Sequence, residues 1–134
     1  MLNKVFVYGT LMRGFSNYQK LLRKQKFNKF EIVNIEEAVF PKGKMYSFED
    51  VYPVVIPGND DIQGEIITFK HPSSALSWID HIEVGYSRVK CQIKTQNGVK
   101  NCWVYLGNHN IYTLNYIPSG NWGKYIKEQL KGEI

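Results

Sequence analysis

The stretch that decides the fold is Lys4-Val5-Phe6-Val7-Tyr8 followed by Gly9-Thr10-Leu11-Met12-Arg13-Gly14. The first part is a short apolar run typical of a strand, and the second begins and ends with glycine. A strand that stops at a glycine and turns leaves several backbone N–H groups without a ladder partner. Such a row of donors suits a carboxylate or another anion. The pattern also fits an ordinary connection between a strand and a helix, so spacing alone leaves both interpretations open.

Length and composition indicate one globular domain. The chain has 134 residues, of which 43% are hydrophobic and 22% charged, and this length buries a core without metal or disulfide support. We therefore expect a single domain over residues 1–134. The apolar runs are too short to cross a bilayer, and no basic segment precedes an apolar one at the N-terminus. The sequence thus predicts a cytoplasmic protein without membrane association.

The net charge of +5 permits attraction to nucleic acid or to anionic metabolites but singles out neither. The basic residues are thinly spread, and their one cluster, Arg23-Lys24-Gln25-Lys26, suits a solvated helix end. Aromatic residues make up 14% of the chain, including nine tyrosines, and aromatics interleaved with lysine can stack bases. Without an RNP-like motif, a zinc-ligand set or a helix-turn-helix pattern, we expect no nucleic-acid partner.

Two cysteines, Cys91 and Cys102, fall on strands that flank Gln96-Asn97-Gly98-Val99. If Asn97-Gly98 is a two-residue hairpin turn, the two thiols are diagonal neighbours about 7 Å apart. A disulfide needs Cβ atoms about 4 Å apart. We therefore expect both cysteines to be reduced core residues.

The rest of the chain reads as short strands and short helices. Patterning predicts helices over 18–23, 75–82 and 123–130, and strands over 30–40, 45–48, 51–58, 62–69, 86–95 and 99–106. Many short strands with strong turn signals favour a curled sheet over a doubly wound one. The predicted fold class is α+β, a small barrel-like β-sheet flanked by short helices.

The second helix carries a carboxylate towards the interior as it ends. Leu76 and Ile79 share one face, and Glu83 follows one turn later close to that face. If this face packs against the sheet, Glu83 is buried as well. A buried carboxylate is salt-bridged, protonated or retained for chemistry, because leaving it unpaired is costly.

Several stretches together resemble the gamma-glutamylcyclotransferase-like family, which includes the gamma-glutamylamine cyclotransferases and AIG2-like proteins. The family's opening signature is similar to a stretch near the start of this chain, namely Val7-Tyr8-Gly9-Thr10-Leu11 with Arg13-Gly14 and Asn17. Further similarity lies at Tyr52-Pro53 with Gly64-Glu65, at Ile79-Asp80-His81-Ile82-Glu83, at Tyr86 with Arg88, and at Trp103-Val104-Tyr105. The chain departs from the family at two positions. In many members a glycine directly follows the glutamate, whereas here the glycine is Gly85, one residue later. Asn121 replaces an acidic residue.

The resemblance implies a small mixed α/β barrel and a specific set of site residues. Tyr8, Gly9, Thr10 and Leu11 are expected to bind a gamma-glutamyl head group, largely through backbone N–H groups on its α-carboxylate. Glu83 is expected to act as the acid/base residue, with Tyr105 and Arg88 as further substrate-binding candidates. The implied products are 5-oxoproline and a free amine or amino acid.

The implied chemistry needs little machinery, because a gamma-glutamyl amide already holds its nucleophile and its electrophile. The α-amine attacks the γ-carbonyl. One carboxylate with a raised pKa can remove a proton from the ammonium and return one to the leaving nitrogen. We therefore expect no cofactor. His71, His81 and His109 lack metal-ligand spacing, so we also expect no metal site.

Alternatives remain for several of these residues. Glu65 follows a strand glycine and competes with Glu83 for the role of base, Tyr105 also fits a surface position, and Arg88 also fits a strand-surface ion pair. The function has an alternative too, a non-catalytic module of the same fold that binds a small metabolite or a partner protein. The sequence leaves the oligomeric state open, and the leaving group depends on a rim that we expect at Met12, Arg13, Tyr46, Tyr52 and residues 84–86.

Overall fold

The computed structural model describes residues 2–28 and 30–132. Within these ranges the strands are β1 (Lys4–Val7), β2 (Ile32–Phe48), β3 (Tyr52–Pro57), β4 (Asp60–Phe69), β5 (Tyr86–Thr95), β6 (Gly98–Gly107) and β7 (Asn115–Ile117). The helices are α1 (Ser16–Asn28), α2 (Pro72–Ile82) and α3 (Trp122–Gly132), and a short 3-10 turn covers Ile111–Thr113. None of the helices in the described ranges has the length and apolarity that a membrane span requires.

Five strands close into a barrel. The sheet order is β3-β2-β4-β1-β6-β5, and a second pairing joins β2 to β5, which completes the ring β2-β4-β1-β6-β5. Strands β1 and β6 run parallel, whereas the other described pairings are antiparallel. Strands β3 and β7 extend from β2 outside the ring. The predicted α+β fold with a mixed, barrel-like sheet and short flanking helices is confirmed.

Strand β1 is buried on both faces, which explains why it reads as a continuous apolar run. Phe6 and Tyr8 belong to the core inside the barrel. Val5 and Val7 point the other way, into a second core that includes residues of α1 and α2. Successive strand residues face opposite sides, so β1 packs against the barrel interior on one face and against the helices on the other. The glycine loop that follows β1 therefore starts between these two layers.

Gly64 allows β4 to approach β1 closely. A Cβ atom at this position would overlap the backbone carbonyl oxygen of Val7 and the ring of Phe6. Such a close approach of a second backbone is one reason for a glycine within a strand. The approach brings β4 against the end of β1, where the first glycine loop starts.

Two elements extend further than the sequence predicts. The first helix continues to Asn28 rather than ending at Arg23. Strand β2 runs through Pro41-Lys42-Gly43 instead of stopping there, with a register shift against β4 between Phe40 and Gly43. Proline cannot donate to the ladder, and a bulge absorbs the missing bond without ending the strand.

The predicted register of the β5–β6 hairpin is wrong. Thr95 pairs with Gly98, so the turn residues are Gln96 and Asn97, and Cys91 lies directly opposite Cys102 rather than diagonal to it. Gly98 has a φ of +107°, so the residue that needs positive φ follows the turn, as in a hairpin with a glycine bulge. Both thiols are free, and Cys102 is buried.

Candidate active site

In the loop after β1, the carbonyl groups of Gly9 and Thr10 accept hydrogen bonds, whereas some of the N–H groups donate none. The Gly9 carbonyl accepts a hydrogen bond from the Met12 N–H at 3.0 Å, and the Thr10 carbonyl accepts one from the Tyr18 N–H at 3.1 Å. In the described part of the chain, the N–H groups of Thr10 and Leu11 meet no acceptor. The loop therefore presents two backbone donors, as the glycine spacing predicts.

Gly9 lets this loop lie directly against β3. A Cβ atom at Gly9 would lie 2.6 Å from Cγ of Pro53, closer than any side chain tolerates. Gly9 and Pro53 both line one cavity. A residue larger than glycine would push the loop and β3 apart and widen this wall.

Glu83 caps the C-terminus of helix α2, and its backbone N–H donates to the Ile79 carbonyl at 2.9 Å. Burial raises the pKa of the Glu83 carboxyl from 4.5 to about 7. Within residues 2–28 and 30–132, no side chain or backbone group forms a hydrogen bond or ion pair with this carboxyl group. Glu83 is thus a partly buried acid, and near neutral pH both its protonated and its ionised form are populated.

Glu83 and the first glycine loop face the same cavity, which has a volume of about 230 Å³. The wall is formed by the end of β1 and its loop, the start of α1, β3, the end of α2, β5 and β6. Its described residues are Phe6, Val7, Tyr8, Gly9, Thr10, Leu11, Asn17, Tyr52, Pro53, Ile82, Glu83, Val84, Tyr86 and Tyr105. Among these, Glu83 is the single charged side chain.

Three tyrosines around Glu83 are tied to neighbouring groups. The Tyr8 hydroxyl donates to the Tyr105 carbonyl, the Tyr86 hydroxyl to the Pro53 carbonyl at 2.9 Å, and the Tyr105 hydroxyl to Asp80 Oδ1 at 2.5 Å. Burial raises the pKa of all three phenols, and the charge of Glu83 adds to each rise. They remain protonated at neutral pH, whereas the pKa of Glu83, about 7, places its titration there.

The structure brings together all but one of the predicted site residues. Tyr8, Gly9, Thr10, Leu11, Glu83 and Tyr105 line the cavity. Arg88 is not among the lining residues. Its Nε lies 3.2 Å from Asp80 Oδ1, and its guanidinium lies over the Trp103 ring at 4.7 Å. Arg88 therefore holds Asp80, which in turn receives the Tyr105 hydroxyl.

Glu65, the alternative base, lies elsewhere. Arg13 donates to its carboxylate from the backbone N–H at 2.9 Å and from Nε at 2.7 Å. Both residues line a second groove, formed by the loop after Met12, β2, β4 and the β5–β6 turn. Glu65 is thus an ion-paired residue that anchors the first loop to β4, and it does not face the cavity of Glu83.

Sequence reasoning found part of the rim and missed other lining residues. Tyr52, Val84 and Tyr86 line the cavity, whereas Met12 and Arg13 line the second groove instead. Asn17 also lines the cavity but is not among the site residues predicted from the sequence, although its position in the opening signature, three residues after Gly14, is a usable signal. In the described ranges, no group of three or more His, Cys, Asp or Glu side chains is arranged to hold a metal ion.

Comparison with known proteins gives consistent similarities. Residues 5–124 match the sequence model of the family described as "Gamma-glutamyl cyclotransferase, AIG2-like". A Vibrio cholerae protein named "Putative gamma-glutamylcyclotransferase" is 31% identical over 123 residues, which cover 91% of this chain and 96% of that protein.

Solved structures show the same fold. The crystal structure of a mouse AIG2-like protein superimposes with a TM-score of 0.73 at 22% identity, covering 88% of this chain and 87% of that one. The crystal structure of YkqA from Bacillus subtilis gives a TM-score of 0.74 at 24% identity over 98% of this chain. This chain spans 43% of the length of that protein.

Proposed function

Because the chain belongs to the gamma-glutamyl cyclotransferase, AIG2-like family, we propose that it releases 5-oxoproline from a gamma-glutamyl compound. The observation that carries this proposal is that Glu83 and the free N–H groups of Thr10 and Leu11 line one cavity. These groups are an acid/base residue and an anion cradle, the two parts that the reaction requires.

Substrate binding begins with the α-carboxylate. The N–H groups of Thr10 and Leu11 receive it, and the N-terminus of α1, which starts at Ser16, adds partial positive charge nearby. The gamma-glutamyl chain then folds back so that its α-amine faces its own γ-carbonyl carbon. Holding two groups of one molecule in this arrangement lowers the activation free energy of the attack by roughly 7–11 kcal/mol.

Glu83 takes the proton that activates the α-amine and returns it to the leaving nitrogen. The ionised carboxylate removes a proton from the α-ammonium, and the resulting amine attacks the γ-carbonyl to form the five-membered ring and a tetrahedral oxyanion. The carboxylic acid then returns its proton to the leaving nitrogen as the bond between that nitrogen and the γ-carbon breaks. The freed amine takes the second proton from the ring nitrogen and departs as an ammonium ion, which leaves 5-oxoproline with one proton on its lactam nitrogen. The carboxylate is regenerated, so neither a metal nor an organic cofactor enters the balance.

The pKa of Glu83 supports this double role. A carboxyl with a pKa of about 7 is both a stronger base than an ordinary carboxylate and still an acid at neutral pH. A positioned acid/base group accelerates such transfers by about 10²–10⁴-fold. The rise in this pKa comes from partial burial, which removes water from around the carboxylate and disfavours its charged form.

The test is to incubate the protein with gamma-glutamyl amides of alkyl and aromatic amines, of amino acids and of the lysine side chain, and to measure 5-oxoproline by mass spectrometry. We expect release from at least one class, and loss of release in Glu83→Gln. Glu128→Gln is the matched control, since Glu128 is exposed on α3 outside the cavity. Absence of 5-oxoproline across the panel would favour a non-catalytic binding module, and full activity of Glu83→Gln would remove Glu83 from its role.

A further inference from the structure

We propose that Asn17 receives the α-amino group of the substrate and so makes the site selective for an α-amino acid head group. This inference rests on the proposed function and assigns one more side chain to the same site. It concerns recognition, whereas Glu83 carries out proton transfer.

Asn17 is fixed in the wall of the cavity by its own amide nitrogen. It lies among the lining residues, and its Nδ2 donates to Thr10 Oγ1 at 2.7 Å. The next residue, Tyr18, donates its backbone N–H to the Thr10 carbonyl at 3.1 Å. Two successive residues of α1 therefore donate hydrogen bonds to Thr10, and these bonds hold the start of the helix against the loop.

The second polar atom of the Asn17 amide is unused. No donor in the described part of the chain contacts Oδ1. An amide oxygen accepts hydrogen bonds and cannot donate them. With Nδ2 committed to Thr10, Asn17 contributes an acceptor to a cavity whose neighbouring backbone groups at Thr10 and Leu11 are donors.

This pairing matches the charges of an α-amino acid. The α-carboxylate accepts hydrogen bonds and suits the N–H groups of the loop, whereas the α-ammonium donates and suits Asn17 Oδ1. The Thr10 hydroxyl accepts from Asn17, so its own hydrogen is left to donate to the carboxylate. A neutral acceptor also holds the amine without taking its proton, which leaves that proton for Glu83.

The experiment compares two ligands that differ only in the α-amino group, L-glutamate and glutarate. Their dissociation constants are measured by calorimetry with the wild type, Asn17→Leu and Asn17→Asp. We expect the wild type to prefer L-glutamate. Asn17→Leu should weaken L-glutamate about tenfold more than glutarate, the size expected for a hydrogen bond to a charged group, because any loss through the contact with Thr10 affects both ligands alike. Asn17→Asp retains an oxygen at the same position and should keep the preference.

Two results would overturn the inference. One is a wild type without any preference for L-glutamate over glutarate. The other is an equal weakening of both ligands in Asn17→Leu, which would mean that Asn17 acts by shaping the loop alone. If Asn17→Leu does not fold, as judged by circular dichroism, Asn17→Ala replaces it in the same comparison. Release of 5-oxoproline by the wild type is measured separately, so failure of the reaction and failure of amine recognition give different results.

Discussion

Replacing Glu83 with glutamine should stabilise the protein at alkaline pH while removing its activity. The partly buried carboxyl ionises with a pKa of about 7 instead of 4.5, so the folded state opposes a charge that the unfolded chain accepts. Glutamine has nearly the same shape and no charge to desolvate. The prediction therefore separates the cost of keeping this group buried from its use in catalysis.

The sign follows from proton linkage. A raised pKa in the folded state means that the folded protein binds the proton more tightly than the unfolded chain. The corresponding stability is fully present below pH 4.5 and is lost as the pH rises through about 7. At about 1.4 kcal/mol for each pKa unit, the whole shift corresponds to about 3.4 kcal/mol of unfolding free energy. Part of this is already lost below pH 5, so the wild type should lose about 2.5 kcal/mol between pH 5 and pH 8 through this group. Glu83→Gln should not show this loss.

Urea unfolding of both proteins at pH 5 and pH 8 measures the effect, because contributions from all other groups cancel in the difference between wild type and variant. We expect Glu83→Gln to gain about 2.5 kcal/mol relative to wild type on going from pH 5 to pH 8. Glu128→Gln should show almost no such change, since Glu128 is exposed. An equal stability difference at the two pH values would show that Glu83 is not desolvated.

Three further predictions concern the cavity wall. Gly9→Ala places a Cβ atom 2.6 Å from Pro53 Cγ, so we expect destabilisation of about 1–3 kcal/mol and at least a tenfold loss of 5-oxoproline release in initial-rate assays. Tyr105→Phe keeps the aromatic wall and removes the hydroxyl that donates to Asp80. It should cost about 1 kcal/mol in urea unfolding with little change in KM, and a large rise in KM would instead place that hydroxyl on the substrate. Finally, Glu83 is the single charged residue among the described lining residues, so an uncharged amine should be a better leaving group than an amino acid, whose carboxylate would be desolvated without a partner. The kcat/KM values of a gamma-glutamyl benzylamide and of a gamma-glutamyl amino acid test this, and a preference for the amino acid would contradict it.

The parts of the fold that depend on local patterns were predictable. The strand at residues 4–8, its glycine loop and the inward position of Glu83 all follow from short-range periodicity and turn chemistry. Each of these signals lies within about ten residues of sequence. The position of the cavity between the first loop and the end of α2 required the family resemblance in addition, because these segments are far apart along the chain.

The parts that depend on partners distant in sequence were not predictable. The hairpin register was wrong because Asn97-Gly98 is a strong two-residue turn signal, whereas the chain uses Gly98, with its φ of +107°, after the turn. The ion pair that removes Glu65 from the competition joins residues 52 positions apart. No local pattern in the sequence indicates that Arg13 reaches Glu65.

The pH dependence of kcat/KM for 5-oxoproline release tests the central claim most directly, namely that Glu83 in this cavity moves the protons. The ionised form of Glu83 must take a proton from the substrate, and its pKa is about 7. We predict that kcat/KM rises about tenfold per pH unit below that value and levels off above it. A rate that stays constant from pH 5 to pH 9 would contradict the account.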